Sequence, residues 1–402
     1  RDGSSLFAPG KKWGNFPSLA LGWNVHNESF LKDVHFLDQF KLRASYGKLG
    51  NNNIDPYQYQ STINTSNGSE TSFANPDITW ETIGITDVGT DLSFFKNKLD
   101  ITFDWYNKKT TNLILKPAPT LTSAIGSTAI NIGEMKNDGW EVKAGYNGKL
   151  SPSFSFSFNA GYSYNKSTLL KISPNPLVEG SIIRQEGYAF GEYYGYKTQG
   201  LLQVGDVEKG VPIYKGQKAG DIHYIDQNND GVIDDKDRVM LGATDPYGTY
   251  FANLSFRFRN FDFETLVTGT GKVPVFYAGR IALPLNVTGE GGTPMKWHQD
   301  YWTPDNPGAR FPRLLPSPGT NGLTSDFWEV NGAFARVKYV QIGYNFNSDL
   351  ISRIKLTNLR IYFNAQNPFT FTQVKVMDPE SRGDENTYPI MRVYTAGLNV
   401  RF

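Results

Sequence analysis

The stretch SFSFSFNAGYSY, residues 153–164, alternates strictly between two kinds of side chain. Its even-numbered positions carry Phe, Ala or Tyr, and its odd-numbered positions carry Ser, Asn or Gly. In an extended strand, successive side chains point to opposite faces, so this stretch has one apolar and one polar face. The alternation therefore predicts a long β-strand.

The same alternation recurs along the chain, and long helical periodicity is nearly absent. Clear examples are LDITFDWY (99–106), VQIGYNF (340–346) and RVYTAGLNVRF (392–402). We predict strands near 17–25, 40–48, 80–95, 99–107, 138–149, 153–165, 249–259, 261–269, 334–346, 357–366 and 392–402. These strands predict an all-β, antiparallel fold.

Two architectures produce such alternation. A soluble antiparallel sheet rests one face on a core and leaves the other in water, whereas an outer-membrane barrel turns its apolar face to lipid and its polar face to the lumen. The connections favour the barrel, because short gaps alternate with long ones at 49–79, 108–137, 166–248, 270–333 and 367–391. Such barrels have short periplasmic turns and long external loops. We therefore predict a transmembrane β-barrel with long extracellular loops.

Aromatic girdles mark the two membrane interfaces of such barrels. The sequence candidates for these girdles are Trp13, Trp23, Trp80, Trp105, Tyr46, Tyr106, Tyr162 and Tyr164. For each of these residues, the alternative is a position in the lumen or in a loop.

Composition excludes several other classes of protein. The 402 residues carry 40 Lys and Arg against 39 Asp and Glu, a net charge of +1 that gives no electrostatic basis for nucleic-acid binding. Cysteine is absent, which excludes a disulfide scaffold and a cysteine nucleophile, and the four histidines show no metal-ligand spacing. No catalytic triad order or phosphate loop stands out, so the sequence does not predict an enzyme.

The last predicted strand resembles an outer-membrane assembly signal. Its apolar face consists of Tyr394, Ala396, Leu398, Val400 and Phe402, and the final residue is aromatic. An ordinary terminal strand would alternate as well.

Eleven predicted strands is an odd number, whereas bacterial single-chain barrels have an even number. We therefore predict that residues 1–402 form the C-terminal half of a barrel of about 22 strands.

Longer segments resemble the SusC/RagA family of TonB-dependent outer-membrane transporters of Bacteroidetes. The similarity covers essentially the whole chain. It rests on WGNFPSLALGWNVHNESFL (13–31), FKLRASYGKLGNNNI (40–54), NPDITWETIGITDVGTDLSFFKNKLDITFDWYNKKTTNLIL (75–115), NIGEMKNDGWEV (131–142), AGDIHYIDQNNDGVIDDKDRVMLG (219–242) and DYWTPDNPGARFPRL (300–314).

This resemblance implies a plugged barrel that works with a SusD-like surface lipoprotein as its lid. It also implies import of oligosaccharide or peptide cargo, driven from the inner membrane through TonB–ExbB–ExbD. The signal peptide, the plug and the TonB-contacting segment of that family have no counterpart in 1–402. We therefore expect energised transport to require more than these residues. The alternative is a structural or adhesive outer-membrane β-protein without transport.

The sharpest local motif is DQNNDGVIDDKD (226–237), in the predicted loop 166–248. Its spacing matches a calcium loop, in which Gly231 permits the sharp turn at position 6. The predicted Ca²⁺ ligands are the side chains of Asp226, Asn228, Asp230, Asp234 and Asp237 and the carbonyl of Val232. Position 12 is Asp rather than Glu, which weakens bidentate closure. The alternative is a solvated turn whose charge Lys236 and Arg238 partly neutralise.

A second cluster lies in KWHQDYWTPDNPGARFPRL (296–314), within the predicted loop 270–333. Trp297, Tyr301 and Trp302 are candidates for stacking on sugar rings. Arg310 and Arg313 are candidates for binding carboxylates or a partner. The alternative, which we favour, is that these aromatic side chains pack the loop onto itself or onto the lid protein.

Overall fold

A computed structural model of the chain describes residues 1–66, 68–116, 128–285, 292–346, 355–383 and 386–402. Within these ranges, eleven strands form one antiparallel sheet. They are β1 (Ser18–Asn24), β2 (Leu37–Asn51), β3 (Glu81–Phe94), β4 (Leu99–Leu115), β5 (Ile130–Ser151), β6 (Phe154–Ile172), β7 (Gly248–Phe258), β8 (Phe261–Thr270), β9 (Phe334–Asn345), β10 (Asn358–Thr372) and β11 (Val393–Arg401). The predicted strands and the antiparallel all-β class are confirmed.

Each strand pairs with the next one in the chain, so the order across the sheet runs from β1 to β11. In the described part of the chain β1 and β11 do not pair with each other. The sheet is therefore an unclosed part of a barrel wall. No helix in the described ranges is both long and apolar enough to cross a membrane.

The connections differ between the two ends of the sheet. At one end, which we call the short-turn end, tight turns occupy 95–98, 152–153 and 259–260. At the other, the long-loop end, the connections 52–80, 173–247, 271–333 and 373–392 are long. They contain the short strands Thr62–Ile63, Glu70–Ser72, Leu177–Glu179, Ile182–Arg184, Glu192–Gly195, Thr198–Leu201, Ile222–Tyr224, Val239–Ala243, Pro274–Phe276 and Glu329–Asn331.

Helices are few and short in the part of the chain that the structure describes. The α-helix Gly279–Ala282 lies in the connection 271–333. The 3-10 helices are Val25–Asn27, Ser29–Leu31, Asp235–Asp237, Lys296–Gln299, Gly319–Gly322, Asp326–Trp328 and Pro379–Ser381. A separate pair of short strands, Asp2–Gly3 and Trp13–Gly14, precedes β1.

Two predicted loops begin later than the sequence indicated. The predicted loop 108–137 is largely strand, because β4 extends to Leu115 and β5 begins at Ile130; residues 117–127 lie outside the described residues. Likewise, β6 runs on to Ile172, inside the predicted loop 166–248. The alternation ends near Trp105, but the backbone pairing of β4 with β5 continues past it. An ion pair between Lys109 and Glu134, 3.0 Å long, also joins the two strands there.

One face of the sheet is apolar from edge to edge. The pairing register aligns Val88, Trp105, Trp140 and Tyr164 in one row across β3 to β6. Phe158 is paired with Tyr146 and Leu254 in another row, and 43% of its surface is exposed. Val88 and Trp105 in the first row are exposed to a similar extent, 47% and 43%. An exposed apolar surface of this extent is typical of a membrane-facing wall.

Most of the predicted girdle residues lie on this apolar face. Tyr164 stacks near Trp140 at the long-loop end, with ring centroids 6.2 Å apart. Two predictions are wrong. Trp80 is buried under the loops, 5.2 Å from the ring of Phe7, and Tyr106 lies on the polar face, where its ring covers Gly139. Trp13 lies outside the eleven-stranded sheet.

On the polar face, two arginines reach carboxylates two strands away. The Arg43 Nη1 on β2 lies 2.8 Å from Asp104 Oδ1 on β4, and the strand between them carries Gly89 at this place. A Cβ at Gly89 would lie 2.0 Å from that Asp104 oxygen. The glycine therefore leaves the space through which the ion pair passes.

The second arrangement repeats the first. Arg360 on β10 pairs with Asp262 on β8, with Nε 3.0 Å from Oδ1. Gly343 on β9 is opposite Asp262, and the guanidinium reaches over it from Arg360, whose own register partner is Asn345. A Cβ at Gly343 would lie 2.4 Å from the Arg360 guanidinium. We call these two contacts the spanning ion pairs.

Candidate functional site

Three long connections pack into one buried unit at the long-loop end, which we call the loop cluster. Residues from 173–247, 271–333 and 373–392 all contribute to it. Its buried side chains are Tyr196, Ile222, Tyr224, Ile233, Tyr277, Ile281, Ala282, Leu283, Phe311, Trp328 and Val374. Apolar side chains distant in sequence thus fix the loops against one another.

Two tyrosine hydroxyls tie this core to its surroundings. Tyr224 Oη donates to the carbonyl of Thr320, and Tyr196 Oη donates to Asp235 Oδ1 at 3.3 Å. Burial raises the pKa of both tyrosines above the usual range, so both hydroxyls remain protonated donors. The Tyr196 contact connects the core with the acidic loop 226–237.

Asp221 is the polar centre of the loop cluster, with a side chain that is 2% exposed. Its carboxylate accepts from Arg313 Nε at 2.8 Å and Nη2 at 3.0 Å, and from Asn321 Nδ2 at 2.9 Å. Buried carboxylates are stable only when they are paired in this way. Arg313 is therefore a structural tie between two loops, and its binding of cargo or a partner stays a prediction.

Of the predicted stacking residues, Trp302 and Trp297 are held inside the cluster. Trp302 is 6% exposed; its Nε1 donates to Gln203 Oε1 at 3.2 Å and its ring covers Gly220. Trp297 packs edge-on against Tyr277 and Phe311, with centroids 5.3 and 4.9 Å apart. Trp297 therefore packs connection 271–333 onto itself, whereas Trp302 packs it onto connection 173–247.

Tyr301 and Arg310 remain at the surface of the loop cluster. Tyr301 is 36% exposed, and the Arg310 guanidinium lies 5.5 Å from the ring of Trp297 and 5.6 Å from that of Phe311. Arg310 is exposed, and a guanidinium that stacks on aromatic rings is a group suited to carboxylate recognition. Binding of cargo or a partner here stays a prediction.

His298 is buried in the loop cluster as a neutral imidazole. Its Nδ1 accepts from the Met295 N–H at 3.0 Å, and its Nε2 lies 2.7 Å from the Ile281 carbonyl, to which it donates. Burial lowers the pKa of His298. Protonation would place a second donor at Nδ1, opposite the Met295 N–H, and break that hydrogen bond.

We expect the loop cluster to lose stability as the pH falls. Because the pKa of His298 is lower in the folded state, its contribution is full above the unfolded value of about 6.5 and is lost as the pH drops through the folded value. Hydrogen exchange of residues 277–283 at pH 7.5 and pH 5 measures this loss. His298→Gln should reduce the pH dependence. His223, whose pKa burial also lowers, needs a His223→Gln control.

The predicted calcium residues form one loop that is held by its own hydrogen bonds. Asp226 accepts from the N–H groups of Asn229 and Gly231, at 2.7 and 2.8 Å. The buried Asp237 accepts from the N–H groups of Gln227 and Asp234, both at 2.8 Å. These bonds define the turn of the loop.

The remaining predicted ligands lie on the exposed side of this loop. The Asn228 amide and the Val232 N–H bond to Asp230 and lower its pKa. Asp234 caps the 3-10 helix Asp235–Asp237 by accepting from the Lys236 N–H at 2.8 Å. No group of three or more His, Asp or Glu side chains in the described ranges is arranged to hold a metal. Calcium binding stays a prediction.

The predicted assembly residues lie on one face of β11. Register pairs Tyr394 with Ala365, Ala396 with Phe363, Leu398 with Ile361 and Val400 with Leu359, all on the apolar side. Phe402 follows the strand and is 87% exposed. Their role as an assembly signal stays a prediction.

The chain is similar to known proteins in sequence and in fold. Residues 1–273 match the family described as TonB dependent receptor-like, beta-barrel. The chain belongs to this family. The chain, an unclosed part of the barrel wall that we call the receptor barrel, is 31% identical to TonB-dependent receptor P3 of Formosa agariphila, over all of this chain and 43% of that protein. It is 29% identical to TonB-dependent receptor SusC of Bacteroides thetaiotaomicron, over all of this chain and 41% of SusC.

The structure of the RagAB peptide transporter has the same fold, with a TM-score of 0.83, 21% identity, and coverage of 99% of the receptor barrel and 44% of that chain. The receptor barrel therefore spans less than half the length of the curated relatives it matches. The resemblance to SusC and RagA and the outer-membrane location are confirmed. These relatives are named as receptors and transporters rather than enzymes.

Proposed function

We propose that the protein containing this receptor barrel is a TonB-dependent importer of nutrients across the outer membrane. The observation that carries the proposal is a single sheet with an exposed apolar face and a polar face, in a chain that belongs to a receptor family. Lipid on the apolar side and a polar bore on the other are the two environments that such a wall fits. The long-loop end is then extracellular and the short-turn end periplasmic.

We infer that the cargo is an oligosaccharide or a peptide and that a SusD-like surface lipoprotein caps the loop cluster. The relative SusC and the structurally similar RagAB peptide transporter support this class of cargo and partner. The exposed Tyr301 and the stacked Arg310 offer an aromatic face and a cation for such contacts. Energy would come from TonB–ExbB–ExbD.

Growth tests address the import proposal directly. A strain lacking the full-length receptor should fail to grow on one glycan or peptide mixture as its sole carbon source, and a strain lacking TonB should show the same defect. The full-length gene should restore growth. Normal growth on every tested nutrient, together with weaker surface attachment, would instead support the adhesive alternative.

The lid proposal predicts that the full-length receptor co-purifies with a lipoprotein. Tyr301→Ala together with Arg310→Glu should reduce the recovered lipoprotein several-fold, because both changes alter the exposed surface and leave the buried Asp221–Arg313 tie intact. Arg259→Glu, at the short-turn end, is the matched control. Equal recovery from all three proteins would contradict a lid at this surface.

We propose that the acidic loop binds Ca²⁺ weakly, with a dissociation constant on the order of 10⁻⁴ to 10⁻³ M. Calcium should protect residues 219–242 from proteolysis, and Asp226→Ala with Asp230→Ala should abolish this protection. Asp245→Ala is the control, because Asp245 pairs with Arg382 outside the motif. Identical cleavage with calcium, with chelator and in the double variant would refute the metal prediction.

A further inference from the structure

Lysines mark the apolar face of the sheet where it approaches the long-loop end. On β2, β4, β5 and β6, a lysine lies two or four residues beyond the last aromatic side chain of that face, in the direction of the long loops. These lysines, which we call the lysine belt, are Lys48 beyond Tyr46, Lys109 beyond Trp105, Lys136 beyond Trp140 and Lys166 beyond Tyr164. The belt therefore follows the aromatic girdle from β2 to β6.

The pairing register sets like charges side by side in the belt. Lys109 is directly opposite Lys136, and like charges in this position destabilise a sheet. Lys48 lies two strands from Lys109 in the same row, with Gly84 between them. A Cβ at Gly84 would have no neighbour nearer than 3.8 Å, so the wall is open at this place. Because neighbouring strands are only about 4.8 Å apart, the long side chains of Lys48 and Lys109 can reach one anionic group from both sides.

Carboxylates of the protein neutralise only part of the belt. Two of its lysines form ion pairs, Lys109 with Glu134 at 3.0 Å and Lys136 with Asp138 at 2.9 Å. Lys48 and Lys166 are exposed, and in the described ranges no carboxylate oxygen lies within 4.0 Å of either ammonium group. The belt thus carries an excess of positive charge, which an anion bound among the lysines would offset.

We infer that the lysine belt binds the phosphate groups of lipid A, the anionic glycolipid of the outer leaflet. The belt lies on the face that we assign to lipid and beyond the aromatic girdle, which is the depth of the lipid headgroups. Lysine stems cover apolar surface while their ammonium groups extend to such headgroups. An acidic protein partner is a poorer fit, because the surface directly below the belt is the apolar one that faces acyl chains. The inference rests on the proposed function for the orientation that places the long-loop end outside.

Stabilisation of the purified full-length receptor by lipid A tests this inference. In detergent, added lipid A should raise the temperature of the gel-mobility shift by several degrees, and dephosphorylated lipid A should not. Lys48→Gln with Lys166→Gln should lose most of this gain, because these changes remove the two ammonium groups that have no ion pair in the described ranges. Lys41→Gln with Lys143→Gln is the matched control. It removes two lysines from the polar face of β2 and β5 and should keep the full gain.

Three outcomes would overturn the inference. One is an equal gain in the wild type and in the variant that lacks Lys48 and Lys166. Another is an equal gain with dephosphorylated lipid A, which would show that acyl chains alone stabilise the wall. The third is a larger gain with phosphatidylglycerol than with lipid A, which would assign the belt to phospholipid. If the double variant fails to fold, Lys48→Gln alone decides. Failure of the growth tests leaves this measurement unaffected, because it requires only a folded receptor, so the two proposals are separable.

Discussion

Replacing Phe158 with arginine is expected to prevent most of the full-length receptor from assembling in the outer membrane. Phe158 lies in the middle of the apolar run from Phe154 to Tyr164 on β6, and its ring is exposed on the face we assign to lipid. A lipid-facing arginine at the bilayer midplane costs about 2–4 kcal/mol. The measurement is the fraction of protein in the outer membrane that shows heat-shifted gel mobility.

The matched control is Asn159→Arg, one residue along the same strand. Asn159 lies on the polar face, opposite Gly145 and Asn253, where water and polar groups accept the charge. This variant should assemble nearly as well as the wild type. If both arginines impair assembly equally, the assignment of the two faces is wrong.

Replacing Arg336 with methionine is expected to have an equally large effect, on the attachment of connection 373–392 to the wall. Arg336 is 1% exposed, and its Nη2 lies 2.7 Å from both carboxylate oxygens of Asp378. Its Nη1 lies 3.2 Å from Glu380 Oε1. Removing one partner of a buried ion pair leaves an uncompensated charge, which costs about 3–5 kcal/mol. Hydrogen exchange and proteolysis of 373–383 measure the loss.

Lys338→Met is the control for this prediction. Lys338 Nζ lies 2.7 Å from the same Glu380 oxygen, but the ammonium is much more exposed. Exposed pairs of this kind are worth about 0–1 kcal/mol. In the Lys338→Met variant, residues 373–383 should therefore resist hydrogen exchange and proteolysis nearly as well as in the wild type. Similar losses in the two variants would show that burial of the charge is not what holds the segment.

Alternation identified the strands because it is a local property of each strand. The alternation from Phe154 to Tyr164 predicts β6 from that segment of sequence alone. The ends of β4 and β5 were harder to predict, because apolar and polar side chains need to alternate only where one face of the strand contacts lipid. Beyond that point pairing is sustained by backbone bonds and by contacts such as Lys109–Glu134, which appear only when the strands are side by side.

The functional loops show the same limit. The spacing in 226–237 is local, so the sequence brings those residues together correctly in one loop. The roles of Trp302 and Arg313 depend on Gly220 and Asp221, more than eighty residues earlier in the chain. Nothing in 296–314 alone reveals that its indole and guanidinium are already occupied. An exposed aromatic or cationic residue is identified only after the packing of all the loops is known.

The spanning ion pairs bear on how the wall resists sliding of its strands. β2 and β4 share no backbone hydrogen bonds, yet Arg43 and Asp104 join them across Gly89; Arg360 and Asp262 do the same across Gly343. A one-residue slip of the middle strand would bring a side chain beneath the guanidinium and push the ion pair apart. Shear is therefore opposed at these two places by electrostatics as well as by the backbone ladder.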